Sequence, residues 1–272
     1  MIISCLFLSM VAYNYRQLKQ KIPILLSCNT CVAVLFTSIA LSSICASNLN
    51  RSPNSRWCLI AGYLNHTFNS SIYYAYTLQA FYRLCRIIFN STAVFKKKKT
   101  YSILICIQWS FSLLTMSTAL ICNWIVFLSS EFYCQVIYSN LVGALYLGLL
   151  LYQIPMASMG SMYVWIARFI RQSARTARQQ QKRDLIIIKR MFTVVGVLTL
   201  MGVPPIVFFM IWLITGHVFS ISYAIQWMTF SITLILINIV LIGLTPQLKA
   251  KLKHQIIPIV CCINILKITY EM

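Results

Sequence analysis

Apolar residues fall in runs of about twenty along this chain, with short polar or basic stretches between them, a pattern that predicts transmembrane helices. The spans predicted are 24–47, 57–89, 101–128, 136–169, 185–214 and 221–244. An apolar stub, 1–12, precedes them; as a helix it reaches only about 18 Å, too short to cross a bilayer. The connectors are a basic stretch at 13–21, a polar turn at 48–56 with Pro53, the tetralysine 96–99, and a loop at 129–135 holding Glu131 and Cys134. A basic, glutamine-containing linker at 171–183 and a tight turn at 215–220 complete the set. The segment 246–254, PQLKAKLKH, alternates bases with apolar residues and suits a short amphipathic helix lying on the membrane surface. The reading is an all-α membrane protein. A seven-transmembrane helix bundle with a truncated first helix fills 1–254 together with the surface helix, and 255–272 form a tail.

One span differs from the rest. Within 57–89, Asn65, Asn69, Ile72, Tyr76, Gln79 and Arg83 recur at steps of three and four, so they share one helical face. A polar stripe on a membrane helix turns toward other helices rather than lipid. Cys58 opens this span and Arg83 follows it at a helical distance of about 37 Å, one bilayer core plus an interface. The segment is expected to be a central spanning helix with a buried polar seam. Pro155, Pro204 and Pro205 fall inside other spans, where a missing N–H kinks a helix.

Charge then orients the chain. Only 10% of the 272 residues are charged, against about 25% in soluble domains. The net charge is +20. Its blocks lie between apolar runs, so the positive-inside rule accounts for it better than nucleic-acid binding does. Alternate connectors carry 21 of the Lys and Arg residues, and the opposite set holds only Arg51 and Arg56. The basic set, with the C-terminal tail, is therefore expected in the cytoplasm. Cys58 and Cys134 then lie outside, where disulfides persist. The other cysteines sit mostly in apolar runs and read as small hydrophobes; Cys28 and Cys31, mid-membrane, lack further metal ligands nearby. No metal or cofactor site is expected. Three histidines and three acids at scattered depths build no triad, so an enzyme is not expected.

Taken with this charge alternation, several residues stand in a recognisable order: Cys58, Tyr82-Arg83-Leu84, Trp109, Cys134, Pro155 with Tyr163 eight residues on, Asp184, Pro204 and Thr245-Pro246-Gln247-Leu248. The chain resembles the rhodopsin-like (class A) G-protein-coupled receptors over nearly its whole length. The resemblance implies a disulfide between Cys58 and Cys134. It implies a switch at the G-protein face built from Arg83, Asp184, Tyr163, Pro204 and Asn238, with Arg83 paired to Asp184 at rest. It also implies a plasma-membrane, multi-pass protein whose partners are an extracellular ligand, a heterotrimeric G protein and membrane lipids. Cys261 and Cys262, beside the surface helix, are candidates for lipidation.

The departures from the pattern are as specific. Met201-Gly202-Val203-Pro204 stands where many members have Cys-Trp-x-Pro, and Asn238-Ile239-Val240-Leu241-Ile242 where they have Asn-Pro-x-x-Tyr. The helix-two acid and the outer half of helix one are missing. Asn65, His66 and Asn69 lie at the depth of the family's ligand pocket, and Trp212, His217, Tyr223, Gln226 and Trp227 could complete its mouth. No acid lies mid-membrane to meet a cationic amine, so a peptide or a neutral small molecule is the expected ligand. The alternative is a truncated or decayed receptor-like protein that inserts but does not signal. A transporter is less favoured, since neither mid-membrane acids nor inverted repeats are present.

Overall fold

A computed structural model describes residues 4–5, 8–9, 22–49, 55–88, 95, 97–128, 133–173, 178–217, 219 and 221–244, with 47–49, 55, 173, 178–191 and 241–244 as backbone alone. The surface helix 246–254, Cys261, Cys262 and the Asp184 side chain lie outside the described parts. The elements are α1 (Ile22–Leu49), α2 (Ser55–Ile87), α3 (Lys98–Ile121), strands β1 (Ile125–Leu128) and β2 (Tyr133–Val136), and α4 (Leu141–Leu147). A π-turn (Gly148–Gln153), α5 (Ile154–Ser173), α6 (Arg178–Thr215) and α7 (Ile221–Leu244) follow. Of the stub, residues 4–5 and 8–9 are helical.

Two predicted spans are corrected where the chain passes from one to the other. The helix expected over 101–128 stops at Ile121. Asn123 takes a left-handed φ of 54°, a conformation asparagine tolerates better than most residues. The Trp124 N–H then turns back to the Ala119 carbonyl at 3.0 Å, closing the helix end. The helix expected from 136 begins instead at Leu141. Asn140 caps it, its Oδ1 accepting from the Gly143 N–H at 3.0 Å. Between these ends lies an antiparallel hairpin in the register Ile125↔Val136, Phe127↔Cys134, Leu128↔Tyr133.

Five helical stretches are long and apolar enough to cross a membrane among the described residues: Ile22–Ala46, Lys98–Ile121, Leu141–Gln172, Phe192–Thr215 and Ile221–Val240. Their outward faces carry exposed Ile103, Leu114, Ile214 and Met228, as lipid contact requires. The chain is a helical, multi-pass membrane protein. α2 is as long as any span, 33 residues, or about 50 Å, but its polar seam makes it less apolar than those five. It is also the helix the others surround: α1, α3, α5, the π-turn and both strands all pack on it. Its Ile72, Tyr73, Tyr76, Ala80 and Leu84 form the middle of the main core, with Met159, Tyr163 and Ile166 of α5, Leu198 and Met201 of α6, and Phe230 of α7.

Candidate functional site

The polar stripe of α2 is buried along its length, with Asn65, Ile72, Tyr76 and Gln79 all inside and Asn69 and Arg83 half-buried. It therefore faces the bundle, as expected. What surrounds it changes from the hairpin end to the Arg83 end.

At the hairpin end Cys58 and Cys134 stand at disulfide distance, with sulfurs 2.08 Å and Cα atoms 5.4 Å apart. One turn along, Gly62 lets β2 lie flat on α2, since a Cβ there would come within 2.7 Å of the Cys134 carbonyl oxygen. The hairpin thus covers this end of the helix. Its buried side chains meet α7: Tyr133 packs edge-on to Trp227 at 5.3 Å, and Tyr138, just past β2, stacks on Tyr223 at 5.2 Å. Each such ring pair contributes about 0.5–1.5 kcal/mol beyond area burial. The Tyr138 hydroxyl donates to Gln226 Oε1 at 2.6 Å, and Gln135 Nε2 donates to the same oxygen at 3.3 Å. Burial pushes the Tyr138 phenol up from its ordinary value, with Tyr223 and Tyr133 adding to the effect, so it stays a neutral donor. In this cluster the acceptor Gln135 Oε1 and the donor Trp227 Nε1 are buried without a hydrogen-bond partner.

Of the residues expected at the pocket mouth, Trp212, Tyr223 and Trp227 join one cluster, together with Ala61 of α2, and Gln226 is hydrogen-bonded into it. His217 does not; it is exposed in the turn after α6, its N–H on Thr215 Oγ1 at 3.3 Å. Asn65 stands one turn beyond Ala61, followed by half-buried His66 and Asn69. The Oδ1 atoms of both asparagines are buried and unpartnered. Gln135, Tyr133 and Tyr138 were not expected at the site, because 129–135 reads as a loop and Tyr138 as the start of the span 136–169. The signal for them was the pair of β-prone runs, IVFL and YCQV, flanking SSEF.

Midway along α2 the neighbours are amides. Asn29 Nδ2 donates to Gln108 Oε1 at 2.7 Å, and Trp109 Nε1 donates to Asn29 Oδ1 at 2.8 Å. Gln108 Nε2 reaches the Ser71 carbonyl at 3.1 Å, and Gln79 Nε2 reaches Thr30 Oγ1 at 2.7 Å. This ties α1, α2 and α3 together with no charged group. Asn238 is also buried; it accepts from Ser4 Oγ at 2.6 Å and donates to the Leu234 carbonyl at 2.8 Å, so it fastens the N-terminal stub to α7.

Toward the other end, Arg83 acts electrostatically on Tyr76 and on Tyr163 of α5. Arg83 and Tyr163, two expected members of the switch, thus lie within electrostatic range of each other. The pairing with Asp184 lies outside the described side chains. Pro204 and Pro205 sit inside an unbroken α6. No protein-family model and no curated protein matches the chain.

Proposed function

We propose that this chain is a rhodopsin-like G-protein-coupled receptor: a seven-transmembrane bundle that passes an extracellular ligand signal to a heterotrimeric G protein. The observation that carries this reading is the placement of α2. It is the central strut, held at one end by the Cys58–Cys134 pair and carrying half-buried Arg83 near the other, within electrostatic range of buried Tyr163. In this reading α2 is a further span, the stub packed on Asn238 belongs to helix one, and the surface helix follows α7. The basic connectors face the cytoplasm at the plasma membrane.

The ligand in this reading is a peptide or a neutral small molecule rather than an amine. No carboxylate occurs among the described side chains, since the three acids are Glu131, Asp184 and Glu271. The unpaired Gln135 Oε1, Trp227 Nε1 and asparagine oxygens are suited to a peptide or neutral small molecule that both donates and accepts hydrogen bonds. The test is nucleotide exchange on G proteins in membranes expressing the chain, at matched surface levels. Asp184→Ala is expected to raise basal exchange, and Arg83→Ala to abolish exchange. Silence of all three forms would replace this reading with that of a receptor-like protein that inserts without signalling.

A further inference from the structure

Where the resemblance implies a tryptophan, residue 202 is glycine, and the space beside it is not empty. A Cβ on Gly202 would overlap the Tyr152 ring, at its Cδ2, Cε2 and Cζ atoms. Tyr152 belongs to the π-turn between α4 and α5, so a ring from a neighbouring helix fills a notch in α6. The notch lies two residues before Pro204.

The backbone explains how Tyr152 reaches so far. In the π-turn the Ile154 N–H bonds to the Leu149 carbonyl, five residues back. The next carbonyl, Leu150, would take its hydrogen bond from residue 155 in that pattern, and Pro155 has no N–H to give. The Tyr74 hydroxyl of α2 supplies it instead, at 2.6 Å. Thr77 Oγ1 adds a long contact to the Pro155 carbonyl at 3.5 Å. α2 thereby holds the widened turn in place. The preceding tyrosine of α2, Tyr73, packs edge-on to Tyr152 at 5.7 Å and donates to the Leu198 carbonyl of α6 at 3.4 Å. One ring is thus clasped between α2 and the α6 segment 198–202, immediately before the proline pair.

We propose that Tyr152 and Gly202 form a wedge and notch that set the bend of α6 at Pro204–Pro205. The aromatic group that controls this helix comes from the π-turn, not from α6 itself. The seating of Tyr152 fixes where the opposite end of α6 stands relative to α2. The hairpin leads through residues 137–140 into α4 and the π-turn, so a ligand pressing on the Tyr138–Gln226 cluster has a short packed route to the wedge. Tyr152 is a positioning residue: it acts on α6 and through α6 only. This goes beyond the receptor reading, and its test involves neither ligand nor G protein.

The experiment is a spin–spin distance measurement on the purified chain in lipid nanodiscs. Nitroxides are carried on noncanonical residues at Arg86 of α2 and Phe192 of α6, both exposed, which leaves the cysteines untouched. Gly202→Ala fills the notch and is expected to move the distance by on the order of 2 Å, the size of ordinary helix shifts. Adding Tyr152→Ala to Gly202→Ala removes the clash and is expected to return the distance to the original. Tyr152→Ala alone is expected to broaden the distribution, and it keeps the test decisive if Gly202→Ala does not fold. A lowered melting temperature with unchanged distances in these variants would mean that the contact only packs, and would overturn the proposal. So would a double variant that stays displaced.

Discussion

The bundle has two unlike halves on either side of α2. Toward α1 and α3 it is stitched by side-chain hydrogen bonds: Asn29 to Gln108, Trp109 to Asn29, Gln79 to Thr30. Toward α5, α6 and α7 it is held mainly by apolar contacts, aromatic rings and the Tyr152 wedge. Burial does not divide the same way: the α1 span is half buried (50%), but the α3 span is 28% buried against 33% for α7. Amide pairs are directional and have one good register, whereas apolar faces in lipid slide with little loss, because lipid tails replace what they leave. The chain therefore has a fixed half and a yielding half. The prolines, the π-turn and the notch glycine all fall in the yielding one.

The strongest way to break this division is to cut the covalent tie across it. The Cys58–Cys134 pair joins α2 to the hairpin that leads into α4 and α5, and closes a loop of 76 residues. Cys58→Ala with Cys134→Ala is expected to cost about 2–5 kcal/mol. The loss should appear as a lower melting temperature in nanodiscs and as faster proteolysis of the hairpin. An unchanged melting temperature under non-reducing conditions would show that the hairpin holds the halves together without the bond.

Next in size is the fixed half itself. Asn29→Leu strands Trp109 Nε1 and Gln108 Oε1 together, and is expected to cost about 1–3 kcal/mol of thermal stability. Adding Gln108→Leu removes one stranded partner, so the double variant should lose less than the sum of the single ones. Strict additivity would mean that the amides are not a unit, and the contrast between the halves would fade.

The sequence made much of this legible, and the gaps have physical causes. α7 was read to the residue, 221–244, because its apolar run is continuous and is bounded in the sequence by Gly216-His217 before it and Thr245-Pro246 after it. The seam of α2 was legible because three- and four-residue spacing is a local property. The hairpin was not, because a short apolar run such as IVFL suits a strand or the end of a helix equally. The hints of the break were the paired β-prone runs IVFL and YCQV and Asn123, which can take a left-handed turn. The amide stitching was half visible: Trp109 stood out, but Asn29 and Gln108 looked like ordinary polar residues within a span. The wedge could not be read at all. Gly202 in the sequence is only a missing tryptophan; that Tyr152 fills its place is a fact of tertiary packing.

A third substitution probes the hairpin end, where the two halves share a lid. Gln226 Oε1 accepts from both Tyr138 and Gln135. Gln226→Leu leaves a neutral, buried phenol without its acceptor, at a cost of about 1–2 kcal/mol. The expected readout is a modest fall in melting temperature with faster amide hydrogen exchange confined to 133–140. Exchange that rises equally in α1 and α3 would contradict the division, since the lid should loosen without disturbing the stitched half.

The smallest expected effect is the most informative about the border between the halves. Tyr74 touches the yielding side through one hydrogen bond, its hydroxyl on the Leu150 carbonyl, while its ring packs edge-on to Phe111 of α3 at 5.2 Å. Tyr74→Phe keeps the ring contact and removes only the hydrogen bond that Pro155 cannot make. The cost should be about 0.5–1.5 kcal/mol, the net value of one hydrogen bond, and the melting temperature should barely move. The π-turn, however, loses the partner of its Leu150 carbonyl. Hydrogen exchange at 148–154 should therefore quicken while the amides of α1 and α3 keep their wild-type rates. A turn with unaltered exchange would mean that its widened geometry is intrinsic to the GLLLYQ stretch and is not held from α2. The fixed half would then no longer govern the yielding one at this point, and each would have to be understood separately.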